Sequence, residues 1–207
     1  DEFIVEHYWG YVRGRDGQTR EYRVAHSPCR VAPADDVSWD CDLPSTYGAP
    51  LAEYPDSAWD KLYATNVKAP FFLTRALLPQ LESAATADDP ARVINIGSID
   101  GIQAPFLDTY AYSATKAAVL HMSRVLSRKL APFRITVNAV APGPFESKMM
   151  HETLQRFGDQ IRAQSPLGRI GRPEDMAGVA IYLASRAGAY LTGTVIPVDG
   201  GITVRPS

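Results

Sequence analysis

The sequence lacks the features that would tie it to a membrane or to nucleic acid. No run of about 20 apolar residues is present, and the N-terminus does not have the basic-then-apolar pattern of a signal peptide. The formal net charge is −2, so no strong basic field exists to attract a phosphate backbone or an anionic lipid surface. We therefore expect a cytoplasmic protein whose partners include neither nucleic acid nor a membrane.

Cysteine is also scarce, with two in 207 residues. A chain of this length buries enough apolar surface to fold without disulfides or a structural metal. Cys29 and Cys41, taken with His7 and His26, match none of the paired-ligand spacings of zinc sites. We expect two free thiols and no metal site.

Glycine and lysine are unevenly distributed, and this divides the chain in two. Residues 1–46 carry three of the fifteen glycines, no lysine and a net charge of −4, whereas residues 47–207 have a net charge of +2. The first segment gives weak signals: Tyr8-Trp9 suits a strand, the glycines at 14 and 17 suit a turn, and residues 22–24 suit a returning hairpin strand. We expect an atypical N-terminal segment at 1–46 and a distinct domain from residue 47.

From residue 47 the apolar residues follow regular periods. The spacing from Trp59 to Leu81 predicts one long helix or a bent pair, with Ser57 as N-cap and Pro70 as the kink. The other predicted elements are strands at 92–96, 134–140 and 194–198, and helices at 109–130, 148–157 and 173–183. Strands that alternate with helices of this length indicate an α/β fold with a parallel sheet, whose ligands bind beyond the carboxyl ends of the strands.

Tyr112 and Lys116 are the first residues that indicate chemistry. A spacing of four places them on one face of the predicted helix, one turn apart. A phenol ionises near pH 10, and a neighbouring ammonium lowers its pKa. Ser98, just past the preceding strand, can hold a carbonyl oxygen beside that phenol. The three side chains together suit acid–base catalysis of a carbinol–carbonyl interconversion, although the tyrosine–lysine spacing alone also occurs by chance.

The order of these motifs along residues 47–204 resembles the short-chain dehydrogenase/reductase family, and within it the 3-oxoacyl-carrier-protein reductase-like group that includes the rhamnolipid-type reductases. The motifs are Thr65-Asn66-Val67, Gly97-Ser98, Tyr112 with Lys116, residues 138–143, residues 168–174, and Thr192-Gly193 followed by Asp199-Gly200-Gly201. The resemblance implies a Rossmann-like doubly wound parallel sheet and a cofactor that is NADP or NAD, with NADP favoured.

The resemblance also implies a role for each matching residue. Tyr112 is the expected proton donor or acceptor, Lys116 lowers its pKa and bonds the nicotinamide ribose, and Ser98 orients the substrate oxygen. Asn66 is the expected holder of a helix-bound water in the proton relay. The residues expected to bind the cofactor are Tyr112, Lys116, Pro142, Gly143, Phe145 and Ser147.

The sequence lacks the glycine-rich turn that usually cradles a dinucleotide pyrophosphate. Gly10, Gly14 and Gly17 approximate it, but their spacing is one residue longer than that of the family, and no apolar helical stripe follows. We interpret the match as chance and expect the N-terminal strands of the fold to be truncated or replaced. One central strand would then have an open edge: either residues 1–46 supply a substitute strand, or a partner covers the edge, or the fold is marginally stable.

Two functional hypotheses remain open from the sequence. In the first, the chain is an oxidoreductase that acts on a small carbonyl or secondary-alcohol substrate. In the second, it is a catalytically silent, truncated homologue that acts only through dimerisation. In both, the resemblance implies a homodimer or homotetramer formed through the helices at 58–81 and 109–130.

Overall fold

The computed structural model describes residues 8–13, 19–24, 48–146 and 150–204. Its strands belong to two separate sheets, one with two strands and one with three. The elements in chain order are β1 (Tyr8–Arg13), β2 (Thr19–Val24), α1 (Asp56–Tyr63), α2 (Ala69–Ala76), α3 (Leu78–Ala84), β3 (Ala91–Ile96), α4 (Tyr110–Leu130), β4 (Ile135–Pro142), α5 (His151–Gln164), α6 (Pro173–Ala184) and β5 (Val195–Val198).

The N-terminal strands form the predicted hairpin. β1 pairs antiparallel with β2 in a register that runs from Tyr8 opposite Val24 to Arg13 opposite Thr19. Gly10 therefore lies inside a strand rather than at a turn that opens a helix, which supports the interpretation of the glycine spacing as chance. Gly14 and Gly17 lie outside the described residues.

The second sheet is parallel and has the order β3-β4-β5. Val93 pairs with Val137, and Val140 pairs with Ile196. The residues of β4 from Ile135 to Ala141 are all buried. A strand that is buried on both faces is typical of the centre of a parallel sheet, and the predicted α/β class is confirmed.

Helices cover both faces of this sheet. Val137 packs in a core cluster to which Val93 and Leu126 contribute, on the side of α3 and α4. Arg92, the neighbour of Val93, points to the opposite face, because successive side chains of a strand alternate. Its guanidinium donates a hydrogen bond of 3.0 Å to the carbonyl oxygen of Ser185, at the end of α6. The Rossmann-like, doubly wound arrangement is thus confirmed for the part of the chain that contains these strands.

The long helix expected between residues 58 and 81 is divided differently from the prediction. α1 begins at Asp56 with Pro55 as N-cap, so the prediction of Ser57 as N-cap is wrong. A π-helical segment, Ala64–Lys68, follows α1, and Pro70 lies in the first turn of α2. The backbone stays helical through Lys68 and Ala69, so the irregularity is the π-helical turn directly before Pro70, whose missing N–H removes a hydrogen bond of a regular α-helix.

α5 also differs from its predicted bounds of 148–157. It begins at His151 and continues to Gln164. Gly158 directly follows the predicted end, but Ile161 in the next turn is 3% exposed. Burial of this apolar side chain outweighs the helix-breaking tendency of one glycine, which costs about 1 kcal/mol.

β3 has an unpaired outer edge among the described residues. The amide of Ala91 donates to the carbonyl of Arg134 beside β4, so the parallel pattern directs alternate backbone groups toward β4. The N–H groups of Arg92, Ile94 and Ile96 therefore point away from it. No described strand pairs with β3 on that side, which is the open edge expected from the truncated N-terminal half.

Candidate active site

Tyr112 and Lys116 lie one turn apart on α4, and both are half-buried. The Nζ atom of Lys116 lies 5.4 Å from the centroid of the Tyr112 ring. The same ammonium donates a 3.3 Å hydrogen bond to the carbonyl oxygen of Ile96, the last residue of β3. Lys116 thus connects the helix to the carboxyl end of the strand, where ligands of parallel sheets bind.

Ser98 follows β3 after one glycine and is buried. A Cβ atom at Gly97 would lie 2.4 Å from Cδ2 of Leu120 on α4, so the absence of a side chain lets the strand end approach the helix. The Oγ atom of Ser98 accepts a hydrogen bond of 3.1 Å from the amide of Asp100. A hydroxyl that accepts in this way keeps its proton to donate to another group.

Asn66 lies in the π-helical segment and is buried. Its Nδ2 donates a 3.0 Å hydrogen bond to Oγ1 of Thr115, and that hydroxyl donates at 2.8 Å to the carbonyl oxygen of Tyr112. Asn66 is therefore joined to α4 on the turn between Tyr112 and Lys116. π-helical turns are rare and often occur at functional sites, where the extra residue redirects a side chain.

Tyr54 is a contributor that the sequence did not reveal. Its hydroxyl oxygen accepts a hydrogen bond of 3.3 Å from the amide of Ala111, and its ring packs edge-on against Tyr110 at 5.4 Å. Thr109, the N-cap residue of α4, makes no capping hydrogen bond with its own side chain. Tyr54 therefore supplies a partner for the first turn of the helix that carries Tyr112, from 57 positions away in the sequence.

Asp100 is a second residue that the sequence did not single out. It lies in the short 3-10 helix Ile99–Gly101, directly after Ser98, and is half-buried. Burial raises the pKa of Asp100, and the Lys116 ammonium acts in the opposite direction. Only its position two residues after Ser98 could have drawn attention to it.

The residues expected to bind the cofactor are not all placed together. Pro142 ends β4, and a Cβ atom at Gly143 would lie 2.9 Å from Cα of Asp199, so the turn packs tightly on the end of β5. The ring of Phe145 lies against Gly171, where an added Cβ atom would be 2.5 Å from the ring. Phe145 borders a cavity of about 460 Å³ that none of the four expected catalytic residues lines. Ser147 lies outside the described residues.

Two of the charged side chains that line this cavity form an ion pair. The Arg169 guanidinium makes hydrogen bonds of 2.7 and 3.0 Å to the two carboxylate oxygens of Asp175. The amide of Arg172 donates to the same carboxylate at 2.7 Å. These contacts, that of Arg169 above all, hold the pKa of Asp175 well below its usual value. The carboxylate also closes the first turn of α6, so this ion pair has a structural role.

The described helices include none with the length and hydropathy needed to cross a membrane. In the same described part of the chain, no three histidine, cysteine or acidic side chains come together as metal ligands would. Cys29, Cys41, His7 and His26 lie outside it, so what was predicted for them stays a prediction.

A parallel α/β sheet, with a serine, a tyrosine and a lysine gathered at the carboxyl end of one strand, places the chain in the class of Rossmann-like proteins. A family model described as enoyl-(acyl carrier protein) reductase matches residues 43–203. The chain belongs to the short-chain dehydrogenase/reductase family, as the sequence predicted. A second model, of an uncharacterised conserved protein family, matches residues 1–68.

Curated relatives and solved structures agree with this assignment. The rhamnolipids biosynthesis 3-oxoacyl-[acyl-carrier-protein] reductase of Pseudomonas aeruginosa is 47% identical over 160 residues, which are 76% of this chain and 62% of that protein. The 3-oxoacyl-[acyl-carrier-protein] reductase FabG of Thermotoga maritima is 33% identical over 159 residues, 77% of this chain and 63% of the relative. This chain therefore spans less than two thirds of the length of either relative.

Among solved structures, the Pseudomonas aeruginosa RhlG/NADP active-site complex is 45% identical and superimposes with a TM-score of 0.74, covering 78% of this chain and 64% of that one. A gluconate 5-dehydrogenase from Burkholderia cenocepacia, in complex with NADP and tartrate, is 28% identical with a TM-score of 0.72. The match covers 80% of this chain and 64% of the gluconate 5-dehydrogenase chain.

Proposed function

We propose that this chain is the reactive part of an NADP(H)-dependent reductase that interconverts a carbonyl group and a secondary alcohol. The observation that carries the proposal is the convergence of Ser98, Tyr112 and Lys116 at the carboxyl end of β3. The naming of two relatives as 3-oxoacyl-carrier-protein reductases supports the reaction class, and the NADP of the solved complexes supports the cofactor.

The described residues fit the nicotinamide end of such a cofactor. An ammonium has three N–H donors, so Lys116 is able to serve the Ile96 carbonyl and a ribose hydroxyl together. Tyr112 lies beside this lysine. In the turn at Pro142 and Gly143 only the proline has a side chain, so the backbone there is able to contact the cofactor. We also assign Phe145 and Ser147 to this end. No described residues form a strand, glycine turn and helix before β3, so the fit does not extend to the pyrophosphate.

Proton transfer is the step that these side chains perform. The Ser98 hydroxyl donates a hydrogen bond to the substrate carbonyl oxygen. Its own oxygen accepts a hydrogen bond from the Asp100 amide, which leaves the hydroxyl proton for the substrate. The Tyr112 hydroxyl transfers its proton to that oxygen, and the Lys116 ammonium stabilises the phenolate that remains. We propose that Asn66, tied to Thr115, positions the water that returns the proton. The nicotinamide, when bound, supplies the hydride for the carbonyl carbon.

Two exposed aromatic side chains support an apolar substrate. Phe106, in the segment before α4, is 58% exposed, and Phe157 of α5 is 37% exposed. Their ring centroids lie 6.3 Å apart in an edge-on contact. Aromatic walls of this kind favour the acyl chain of a 3-oxoacyl substrate over a sugar acid, because they bind apolar surface.

The proposal is tested by titrating the full chain with NADPH, NADH and reduced nicotinamide mononucleotide while the melting temperature is followed. A ligand at 100 times its dissociation constant adds about 2.7 kcal/mol of stability. We expect NADPH and the mononucleotide to bind within about tenfold of each other, since the described residues fit only the part that they share. Tyr112→Phe should lower turnover by about 10²–10⁴-fold and keep the melting shift.

Tyr110→Phe is the matched control, because Tyr110 lies two residues away and its hydroxyl bonds Asp108 instead of the site. It should leave turnover unchanged. Absence of a melting shift with all three ligands at millimolar concentration would contradict the proposal and favour the silent homologue that acts through dimerisation. Equal turnover of Tyr112→Phe and the unmodified chain would refute the role of Tyr112.

Assembly and domain organisation are further parts of the proposal. Large apolar side chains are exposed along the helical stretches expected to form a homodimer or homotetramer, namely Trp59, Tyr63, Phe71, Leu77 and Val125. We keep the proposed boundary near residue 46, which the family-model match beginning at residue 43 supports, although the second match, 1–68, extends past it. The cytoplasmic location stays a prediction.

A further inference from the structure

The 3-10 helix Ile99–Gly101 lies directly on the backbone of α4 at Lys116. A Cβ atom at Gly101 would be 2.6 Å from the carbonyl carbon of Lys116 and 2.7 Å from the amide nitrogen of Ala117. Only glycine permits this approach without displacing one of the two segments. Asp100, the residue before it, is thereby held next to the turn of α4 that carries the lysine.

Asp100 is fixed from its other side by Ser98. Its amide donates the 3.1 Å hydrogen bond to the Ser98 hydroxyl, and Ser98 is the N-cap residue of the same 3-10 helix. The backbone around Asp100 is thus set by two residues of the candidate active site. The residue itself is half-buried.

Few charged groups surround Asp100 in the described part of the chain. Two elements of that part pack closely on its 3-10 helix, α4 and β4. α4 brings Lys116 as the cation and Tyr112 as the neighbouring titratable group, and Ile135–Pro142 contains no charged side chain. Burial opposes ionisation of Asp100 and raises its pKa, while the field of Lys116 favours the carboxylate.

We propose that Asp100 is a positioning residue of this site: its carboxylate competes with Tyr112 for the Lys116 ammonium and so sets the pH at which Tyr112 ionises. The inference rests on the proposed function, in which Lys116 stabilises the Tyr112 phenolate. With Asp100 ionised, phenolate formation places two anions around one cation, and a nearby like charge raises the pKa of a phenol. The three groups therefore titrate as a coupled set.

The test replaces Asp100 with asparagine, which keeps the shape and removes the charge. Tyr112 ionisation is followed without any cofactor, as the difference in tyrosinate absorbance between each protein and its Tyr112→Phe counterpart. We expect Asp100→Asn to lower the Tyr112 midpoint by about 0.5–1 pH unit. In assays of carbonyl reduction, where Tyr112 must carry its proton, the alkaline limb of the kcat/KM profile should move to lower pH by the same amount.

Asp108→Asn is the matched control, since that carboxylate accepts a 3.0 Å hydrogen bond from Tyr110 and does not belong to the site. It should leave the Tyr112 midpoint in place. Asp100→Ser, smaller and uncharged, should reproduce the shift of Asp100→Asn, and a melting curve confirms that each variant is folded. A Tyr112 midpoint that is unchanged or raised in both Asp100 variants would overturn the inference. So would a Tyr112 that stays protonated up to the pH at which the unmodified chain and the variants unfold. If the proposed function alone is wrong, no turnover is observed, but Asp100→Asn still lowers the midpoint of tyrosinate absorbance.

Discussion

The hairpin of β1 and β2 and the parallel sheet of β3, β4 and β5 illustrate two ways in which sequence specifies strands. The hairpin pairs residues 8–13 with residues 19–24, and the chain need only turn back on itself. The parallel sheet pairs residues 91–96 with a strand that begins at Ile135, and that strand with one that begins at Val195. Such pairing requires crossover helices that bury both faces of the sheet.

The comparison shows when a residue spacing has functional meaning. Gly10 belongs to the hairpin, where it pairs with Tyr22 and opens no helix. Tyr112 and Lys116 belong to a 21-residue helix that packs on β4, so their spacing of four has a definite geometry. A spacing predicts chemistry only when the element that carries it is the one the chemistry requires.

The largest expected difference between the two regions concerns a buried charge. Val137 in β4 is 0% exposed, and Val137→Asp should destabilise the protein by about 5 kcal/mol or more, because a carboxylate would be buried without a partner. Val12→Asp in β1 is the matched change in the hairpin, which forms a separate two-stranded sheet, and it should cost less than about 0.5 kcal/mol in the same unfolding transition, because a two-stranded sheet has little stability of its own. Urea denaturation of both variants measures the effect, and similar losses would show that the hairpin and the sheet unfold as one unit.

A smaller effect distinguishes the two edges of β3. The amide of Val93 points toward β4 and that of Ile94 points to the open edge, so Val93→Pro should destabilise by about 1–3 kcal/mol more than Ile94→Pro. The reason is that only Val93→Pro leaves a buried carbonyl oxygen of β4 without its donor. Thermal unfolding at several protein concentrations measures both. Equal losses would mean that another strand covers the outer edge.

The smallest expected effect is on stability at low pH, and it involves Asp199, the residue that follows β5. Burial opposes ionisation of Asp199, but hydrogen bonds from the Thr203 hydroxyl, the Thr203 amide and the Gly201 amide outweigh it and lower the pKa of Asp199. A lowered pKa contributes stability above pH 3.8, the ordinary value, and this contribution is lost as the pH falls through the native pKa.

Thr203→Val removes one of these donors, so the acid-unfolding midpoint should rise by about 0.2–0.5 pH unit, a small shift for a partly exposed group. Circular dichroism during acid titration gives the midpoint. Thr74→Val is the control, because the Thr74 hydroxyl bonds the Pro70 carbonyl and no carboxylate. Its curve should keep the original acid midpoint, and a rise equal to that of Thr203→Val would refute the assignment to Asp199.

Much of the fold and of the candidate site could be predicted from the sequence. Long apolar periods located the helices and strands from residue 56 onward, since burial of one face imposes a period on the sequence. The order of motifs around Ser98, Tyr112 and Lys116 identified the family. The structure bonds Asn66 to Thr115, which lies on the same turn of α4 as Tyr112 and Lys116, and its role in the proton relay is a proposal.

The rest could not be predicted because it depends on contacts between distant residues. Ser57 has the side chain of an N-cap, but the backbone becomes helical one residue earlier, after Pro55. Tyr54 acts on α4 from a distance that no local pattern spans. In the sequence, Asp100 resembles an exposed loop residue. Its proximity to the site follows only from the packing of Gly101 against the backbone of Lys116.

The sequence by itself determined the family, the α/β class and the tyrosine–lysine pair, because apolar period and short spacings are local properties that one helix or strand converts into geometry. Tertiary structure decided which helix turn becomes π-helical, that Tyr54 bonds the first turn of α4, and that Gly101 lies against the backbone of Lys116. These features arise from packing between segments far apart in the chain, where the space left by one segment decides the conformation of the other.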